Sequence, residues 1–288
     1  MTPPISAAAI VAACRHAAAA TVVIDVVDAT GSTNADLLAR AGTGAGAAPA
    51  PAALTGPTLL VARRQTAGRG RAGRTWMADA GSLTFSLAWR FDQPVAALVG
   101  LPLAIGVAVA EVLNAKAAGA QLKWPNDVLV NGAKLAGVLI ETVALPTLLQ
   151  PQTWAVIGVG INMRDDTLVA APVGLQAALP ITDTAVATLP ATDRNLLLAQ
   201  LLDAFCAALG TFDASALTPF VARWNALHAH AGQMVNILER GVVRHRGRAL
   251  GIDAVGRLLL QTGSGTVAVM AGDVSLRLAG EGVDAVVD

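Results

Sequence analysis

Of the 288 residues none is tyrosine, only 3% are aromatic, two are cysteine, and the formal net charge is zero. Each scarcity excludes something. With Lys+Arg and Asp+Glu both at 20, no whole-molecule field draws the chain to nucleic acid or to an anionic membrane. Cys14 and Cys206 lie far apart in sequence and make neither a disulfide framework nor a zinc cluster. They read as small buried hydrophobes of a reducing compartment. No uninterrupted apolar run reaches the roughly 20 residues of a membrane span. The Ala-rich N-terminus lacks a basic n-region and is interrupted by Arg15 and His16, so residues 5 to 20 read as a helix and not as a signal peptide. A cytoplasmic location is the expectation. None of the four histidines, His16, His228, His230 and His245, has the spacing of a metal site or a triad; His228 and His230 lie two apart on a predicted helix and would not share a face.

What is present is a large apolar share, 54%, ample for a continuous core. The pattern predicts strands over Thr21–Val27, Thr58–Ala62, Ser82–Phe91 and Trp154–Ile161, and helices over Ser32–Arg40, Pro94–Ala118, Asn195–Leu209 and Ala214–Ala229. Thr33 and Asp36 match a capping box at the first of these helices. Val128–Val130, Asn131-Gly132 and Leu135–Ile140 predict a hairpin, because Asn-Gly accepts the positive φ angles of a type I′ turn. Residues 42 to 57 read as a mobile Gly/Ala/Pro-rich surface loop, and 165 to 192 as irregular. From Gly232 short strands follow at Met234–Glu239, Val242–Ile252, Leu258–Gln261 and Val267–Met270, the cadence of a small β-barrel. The fold class is therefore α/β with a small C-terminal all-β domain, divided as 1–231 and 232–288.

The chemistry concentrates in Gln65-Thr66-Ala67-Gly68-Arg69-Gly70-Arg71-Ala72-Gly73-Arg74-Thr75-Trp76, where glycines alternate with arginines. Backbone N–H groups and guanidinium forks brought together this way suit a phosphate or carboxylate. Gly68, Gly70 and Gly73 formally satisfy G-x-G-x-x-G, but Thr75–Phe91 reads as loop then strand, without the helix a dinucleotide fold requires. No P-loop motif occurs. Ser32-Thr33-Asn34 sits where a strand meets a helix; one of the three caps the helix, and the cluster also suits a neutral polar ligand group. Lys123-Trp124-Pro125-Asn126-Asp127 reads as a turn, and Lys134 as either a solvated charge or a point charge for an anion. Asn162 ends an apolar strand, as a turn residue or as a donor–acceptor matched to an adenine edge.

In this order the pieces resemble the biotin protein ligases: Ser32-Thr33-Asn34, Gln65 to Trp76, Lys123 to Asp127, Lys134-Leu135-Ala136-Gly137, Gly158 to Met163, then Gly251-Ile252-Asp253 and Gly272 to Arg277. The resemblance covers about residues 25 to 280. It implies a mixed sheet with flanking helices, related to class II aminoacyl-tRNA synthetases, and an SH3-like C-terminal barrel. It implies biotin and ATP as substrates with Mg2+, biotinyl-5′-AMP as intermediate, and a lysine on a biotin carboxyl carrier domain of a carboxylase as acceptor. Ser32, Thr33, Asn34 and Gln65 would hold the biotin ring system. Gly68, Arg69, Gly70 and Arg71 would form the loop that orders over biotin and adenylate. Trp76 would pack near adenine, Lys134 would meet the reacting carboxyl and α-phosphate, Gly137 would be a further binding residue, and Asn162 would read adenine. Asp127 would position the acceptor lysine or a metal, and Arg277 would reach the nucleotide side. No protein metal ligands are implied, and a homodimer is compatible. Ala72 and Thr75 stand where relatives often carry Arg or Lys. About 24 residues precede the first catalytic strand, too few for the DNA-binding domain of some relatives, so no DNA binding is expected. The alternatives are a lipoate or octanoyl ligase or transferase of the same fold, a non-catalytic nucleotide or nucleic-acid module, and a dinucleotide-dependent oxidoreductase.

Overall fold

A computed structural model of the chain describes residues 3–42, 53–76, 82–116, 118–145, 150–163, 187–189 and 192–280. Most of the loop expected over 42–57 and of the irregular stretch expected over 165–192 lies outside these residues.

The Ala-rich start forms α1 (Ala7–Ala13) and stops there, short of residue 20. The backbone N–H groups of Arg15 and His16 donate to the Asp203 carboxylate at 2.7 and 2.9 Å, and the chain resumes as a 3₁₀ turn, Ala17–Thr21. A carboxylate has captured donors that a continuing helix would have used. β1 (Val23–Thr30), α2 (Thr33–Gly42) and β2 (Thr58–Gln65) form a crossover unit in which β1 and β2 pair in parallel. The capping box is not formed. Ser32 caps α2 through the Ala35 N–H, while the Asp36 carboxylate takes the Thr30 hydroxyl. β3 (Leu83–Phe91) returns antiparallel to β2. The helix expected over Pro94–Ala118 is two pieces, a 3₁₀ turn at Val95–Leu98 and α3 (Leu101–Asn114), broken at Gly100 with φ 89°. A Cβ at Gly100 would lie 2.9 Å from Leu217 Cδ2, so glycine serves both the angle and the approach.

β4 (Ala120–Lys123), β5 (Asp127–Val130), β6 (Ala133–Leu145) and β7 (Gln152–Ile161) complete a seven-stranded mixed sheet of order β1-β2-β3-β7-β6-β5-β4. Asn131 and Gly132, at φ 51° and 76°, make the expected hairpin turn. α4 (Arg194–Ser215) and α5 (Thr218–Ala226) follow. One face of the sheet presents Phe85, Leu87, Ile157, Val159 and Ile161 to the large core that α3, α4 and α5 share. The segments Val95–Asn114 and Arg194–Ser215 have the length and apolarity of membrane spans, and more than half of each is buried inside this core. α2 covers part of the other face through Leu37 and Ala41, against Leu60, Ala88, Trp154 and Val156. The rest of that face is the floor of the cleft described below.

The helix expected to run on to Ala229 ends at Ala226. Residues 227–229 instead extend the sheet beside β4: Leu122 N–H donates to Leu227 O, and Ala229 N–H donates to Leu122 O. His228 and His230 therefore both turn inward, are buried, and stack edge-to-face at 6.2 Å. β8 (Met234–Glu239), β9 (Val242–Ile252), β10 (Leu258–Thr262), β11 (Gly265–Val269) and β12 (Val274–Leu278) form a second sheet of order β11-β10-β9-β8-β12. β12 was not among the predicted strands. Val235, Ile237, Ile252 and Leu258 join the large core, so apolar packing runs unbroken from one sheet to the other. Trp124 Nε1 donates to Gly256 O at 3.1 Å, and the Asn225 carboxamide brackets the Ile252 backbone, accepting its N–H at 2.8 Å.

Candidate active site

The cleft begins with an omission of side chains. Successive residues of a strand face opposite ways, so the core-facing Ile157, Val159 and Ile161 of β7 leave Gly158 and Gly160 on the other face. Gly160 is the cross-strand partner of Gly137 on β6. Trp76 lies on this flat patch: a Cβ at Gly160 would meet its Cε2 at 2.3 Å, and one at Gly137 its Cζ3 at 3.3 Å. Gly158 likewise leaves room for Asn34, whose Oδ1 would be 2.3 Å from a Cβ there. Trp76 Nε1 is buried and has no hydrogen-bond partner among the described residues.

Beside this floor stands a neutral polar cluster, buried at the N-terminus of α2. Thr33 N–H donates to Gln65 Oε1 at 2.8 Å, Thr33 Oγ1 lies 2.7 Å from Ser86 Oγ, and Ser86 Oγ donates to Asn34 Oδ1 at 2.6 Å. The serine's one proton is given to the amide oxygen, so the single Thr33 hydroxyl proton is shared between Ser86 Oγ and Gln65 Oε1, the latter 3.1 Å away. The Asn34 amide then donates through Nδ2 to Glu141 Oε2 at 3.0 Å and to Leu139 O at 3.3 Å. Glu141 Oε1 pairs with Arg69 Nη2 at 3.0 Å. Ser32, Thr33 and Asn34 are all nearly inaccessible, 3 to 4% exposed. Such burial is sustained only because each finds partners.

The Gly/Arg loop folds over the cleft as a short hairpin. Arg69 bridges Thr75, Gly70 N–H donates to Arg74 O, and Trp76 N–H donates to Gly68 O at 2.9 Å. The reversal sits at Ala72 and Gly73, φ 53° and 71°. At its tip Arg71 donates to Asn126 Oδ1 at 3.0 Å and to Gly272 O, joining the loop to the turn after β4 and to the second sheet. Burial lowers the Arg71 pKa from its ordinary value, against the opposing pull of Asp127; Arg74 lowers it further and Asp273 raises it. Asn126 is itself fixed by Nδ2 donation to Val138 O at 2.9 Å.

Lys134 enters from β6. Its Nζ is 2.6 Å from Asp127 Oδ1 and 5.5 Å from the centre of the Trp76 ring, with both charged side chains about one quarter exposed or less. Asn162 donates from Nδ2 to Lys134 O at 3.1 Å. Arg277 of β12 also lines the cleft. The open cleft has a volume of about 480 Å³, within the range of ligand-binding clefts. Every residue expected at the site lines this cleft except Gly68, which supports it from behind: a Cβ there would meet Trp76 O at 2.5 Å. Ser86 and Glu141 were not foreseen, and Asn126 stood in the expected Lys123–Asp127 run without a role of its own. The signal for Glu141 was faint but present, a carboxylate continuing the alternation Gly137, Leu139, Glu141 on the glycine-bearing face of β6. Among the described residues no group of three or more His, Cys, Asp or Glu converges to hold a metal ion. The arrangement thus offers a neutral hydrogen-bonding end, a cationic middle of Arg69, Arg71 and Lys134, and an indole laid on glycine.

A cleft of this kind on a mixed sheet, beside a small β-domain, suits a ligand with a neutral polar end and an anionic group. Residues 52–162 match the Biotin/lipoate A/B protein ligase family, and residues 230–277 match the Biotin protein ligase C terminal domain. The biotin--[acetyl-CoA-carboxylase] ligase of Mycobacterium tuberculosis is 39% identical over 257 residues, 87% of this chain and 88% of that protein. The bifunctional ligase/repressor BirA of Escherichia coli is 35% identical over 259 residues, 89% of this chain and 74% of that protein. Among solved structures, the biotin protein ligase from Aquifex aeolicus in complex with biotin and ATP superposes with a TM-score of 0.67 at 26% identity, covering 89% of this chain and 99% of that one. The chain belongs to the biotin protein ligase family, and it is a ligase.

Proposed function

We propose that the protein joins biotin to a specific lysine of a biotin carboxyl carrier domain in two steps. In the first, a biotin carboxylate oxygen attacks the α-phosphorus of MgATP; a P–O bond forms, the bond to pyrophosphate breaks, and biotinyl-5′-AMP results. In the second, the carrier amine attacks the acyl carbon, AMP departs, and the amine proton goes to solvent. The metal arrives with its nucleotide as substrate. The observation that carries the reading is the convergence of Arg69, Arg71 and Lys134 between a neutral polar cluster and the Trp76 indole. Two anions must meet in the first step, and cations preset in a partly buried cleft offset their repulsion and the charge of the transition state. The second step needs no protein nucleophile, because the adenylate is already activated.

In this reading Ser32, Thr33, Asn34 and Gln65 hold the ring system of biotin, and Lys134 contacts its carboxyl and the α-phosphate. Asp127, at 2.6 Å from Lys134, keeps that ammonium in place. Trp76 stacks near adenine, Asn162 reads its edge, and Arg277 reaches the nucleotide from the second domain, whose boundary we place at residues 231 and 232. The hairpin from Gly68 to Trp76 shields the mixed anhydride from water. Repression is not part of the proposal: the chain is neutral, and a salt-resistant, operator-specific gel shift would overturn that exclusion.

The test is ATP–pyrophosphate exchange driven by biotin, with lipoate and octanoate in parallel. Exchange with biotin alone supports the proposal. Exchange only with lipoate or octanoate moves the function to the sister ligases, and exchange with none of the three refutes acid activation.

A further inference from the structure

Glu141 lies just outside the cleft, two residues along β6 from Leu139, and its two carboxylate oxygens serve different halves of the site. Oε2 accepts from Asn34 Nδ2 at 3.0 Å, and Oε1 pairs with Arg69 Nη2 at 3.0 Å. The first contact decides which way the Asn34 amide faces. Ser86 donates into Oδ1 at 2.6 Å, while Glu141 and Leu139 O draw Nδ2 to the other side. Reversing the amide would set Oδ1 against the Glu141 carboxylate and the Leu139 carbonyl, so Glu141 locks the amide orientation and, with it, the direction of the Ser86 proton. The second contact ties down the start of the Gly/Arg hairpin, whose tip is tied separately by Arg71 to Asn126 and Gly272.

We infer that Glu141 is a positioning residue of the ligase that does two separable jobs: it presets the polar cluster that receives the neutral end of the acyl substrate, and it holds the base of the loop that retains the adenylate. The inference rests on the function proposed above. Glutamine is the discriminating substitution. Its amide oxygen still accepts from Asn34, but it carries no charge for Arg69, whereas alanine removes both contacts.

The experiment compares wild type, Glu141→Gln and Glu141→Ala in biotin-dependent exchange and in release of adenylate formed in a single turnover, with circular dichroism and Tm recorded for each. Glu141→Ala raises the KM for biotin about tenfold, the scale expected when one charged hydrogen bond to a buried amide is lost, and also speeds adenylate release. Glu141→Gln keeps the KM for biotin within about threefold of wild type, less than one hydrogen bond's worth, and still releases adenylate faster. A general packing defect would not separate the two readouts. If both variants shift KM and release together, or if neither shifts either, the inference is wrong. A wild-type protein that shows no biotin-dependent exchange refutes the proposed function instead, which keeps the two failures distinct.

Discussion

Three glycines carry as much of the site as the charged residues do. Gly160 has an ordinary strand conformation, so alanine there costs nothing in backbone strain and would ordinarily steady a strand. Its Cβ, however, would lie 2.3 Å from the Trp76 indole. Gly160→Ala should therefore displace the indole, raising the KM for ATP about tenfold or more, the range associated with losing one stacked base contact, with Tm unchanged or higher. Gly132→Ala should do the reverse. Its φ of 76° is the problem and nothing stands within 4 Å, so Tm falls while the KM values stay put. An unchanged KM for ATP in Gly160→Ala would show that Trp76 does not receive the nucleotide. Lys134→Ala should slow exchange by about 100-fold or more, as expected on deleting one preset charge, with circular dichroism unchanged; a wild-type rate would remove Lys134 from the chemistry. Lys134 and Trp76 were expected in the cleft through the resemblance that their short runs carry, since read alone Lys134 served equally as a solvated charge. Ser86 and Glu141 were not, because a single polar residue in an apolar strand acquires meaning only from Asn34, 52 and 107 positions away.

At the scale of elements, the hairpin between β2 and β3 is pinned at both ends by arginine. Arg71 is the more deeply committed, bonded at once to Asn126 and to Gly272. Arg71→Ala should loosen the tip without unfolding the sheet, visible as faster adenylate release and as new protease cleavage between Gly70 and Arg74; wild-type release and protection would mean that the loop closes without it. Strand positions were read well because period-two alternation and Asn-Gly turns are local signals. Helix ends were read less well: Gly100 and Leu217 had to meet before the helix over Pro94–Ala118 could be seen to break, and Asp203 had to arrive before α1 could be seen to stop. The same packing of α1 on α4 brings together two thiols that the sequence keeps apart. Burial, then Asp203, then Cys14, push the Cys206 thiol up to about 12, and burial and Asp203 raise Cys14. Only the thiolate reacts, so iodoacetamide at pH 8 should leave Cys206 unmodified until the protein is denatured; rapid labelling of native Cys206 would contradict this burial.

For the whole molecule, what matters is that two sheets share one core, and the junction is where composition alone said least. Residues 227–230 looked like the tail of a helix, yet they pair with β4 and bury His228 against Trp224 at 4.7 Å and His230 at 6.2 Å. Both His228 ring nitrogens are buried and have no hydrogen-bond partner among the described residues. Burial first, and then the neighbouring His230, lower its pKa from 6.5 to about 4. The consequence for stability has a definite sign. Between about pH 6.5 and pH 4 the unfolded chain holds a proton on this ring that the folded chain refuses, so stability declines as pH falls through that window and the full loss is reached below about 4. Above pH 6.5 the ring is neutral in both states and contributes no such loss. By linkage the loss is roughly 2 kcal/mol at pH 5. His228→Phe fills the same space beside Trp224 and has nothing to protonate. Because the native ring makes no hydrogen bond among the described residues, the substitution should be close to neutral at pH 8. Between pH 8 and pH 5 the wild-type Tm should then drop by several degrees more than that of His228→Phe. Parallel Tm losses in the two proteins would mean that His228 is not the group through which acid weakens the junction between the catalytic sheet and the second sheet.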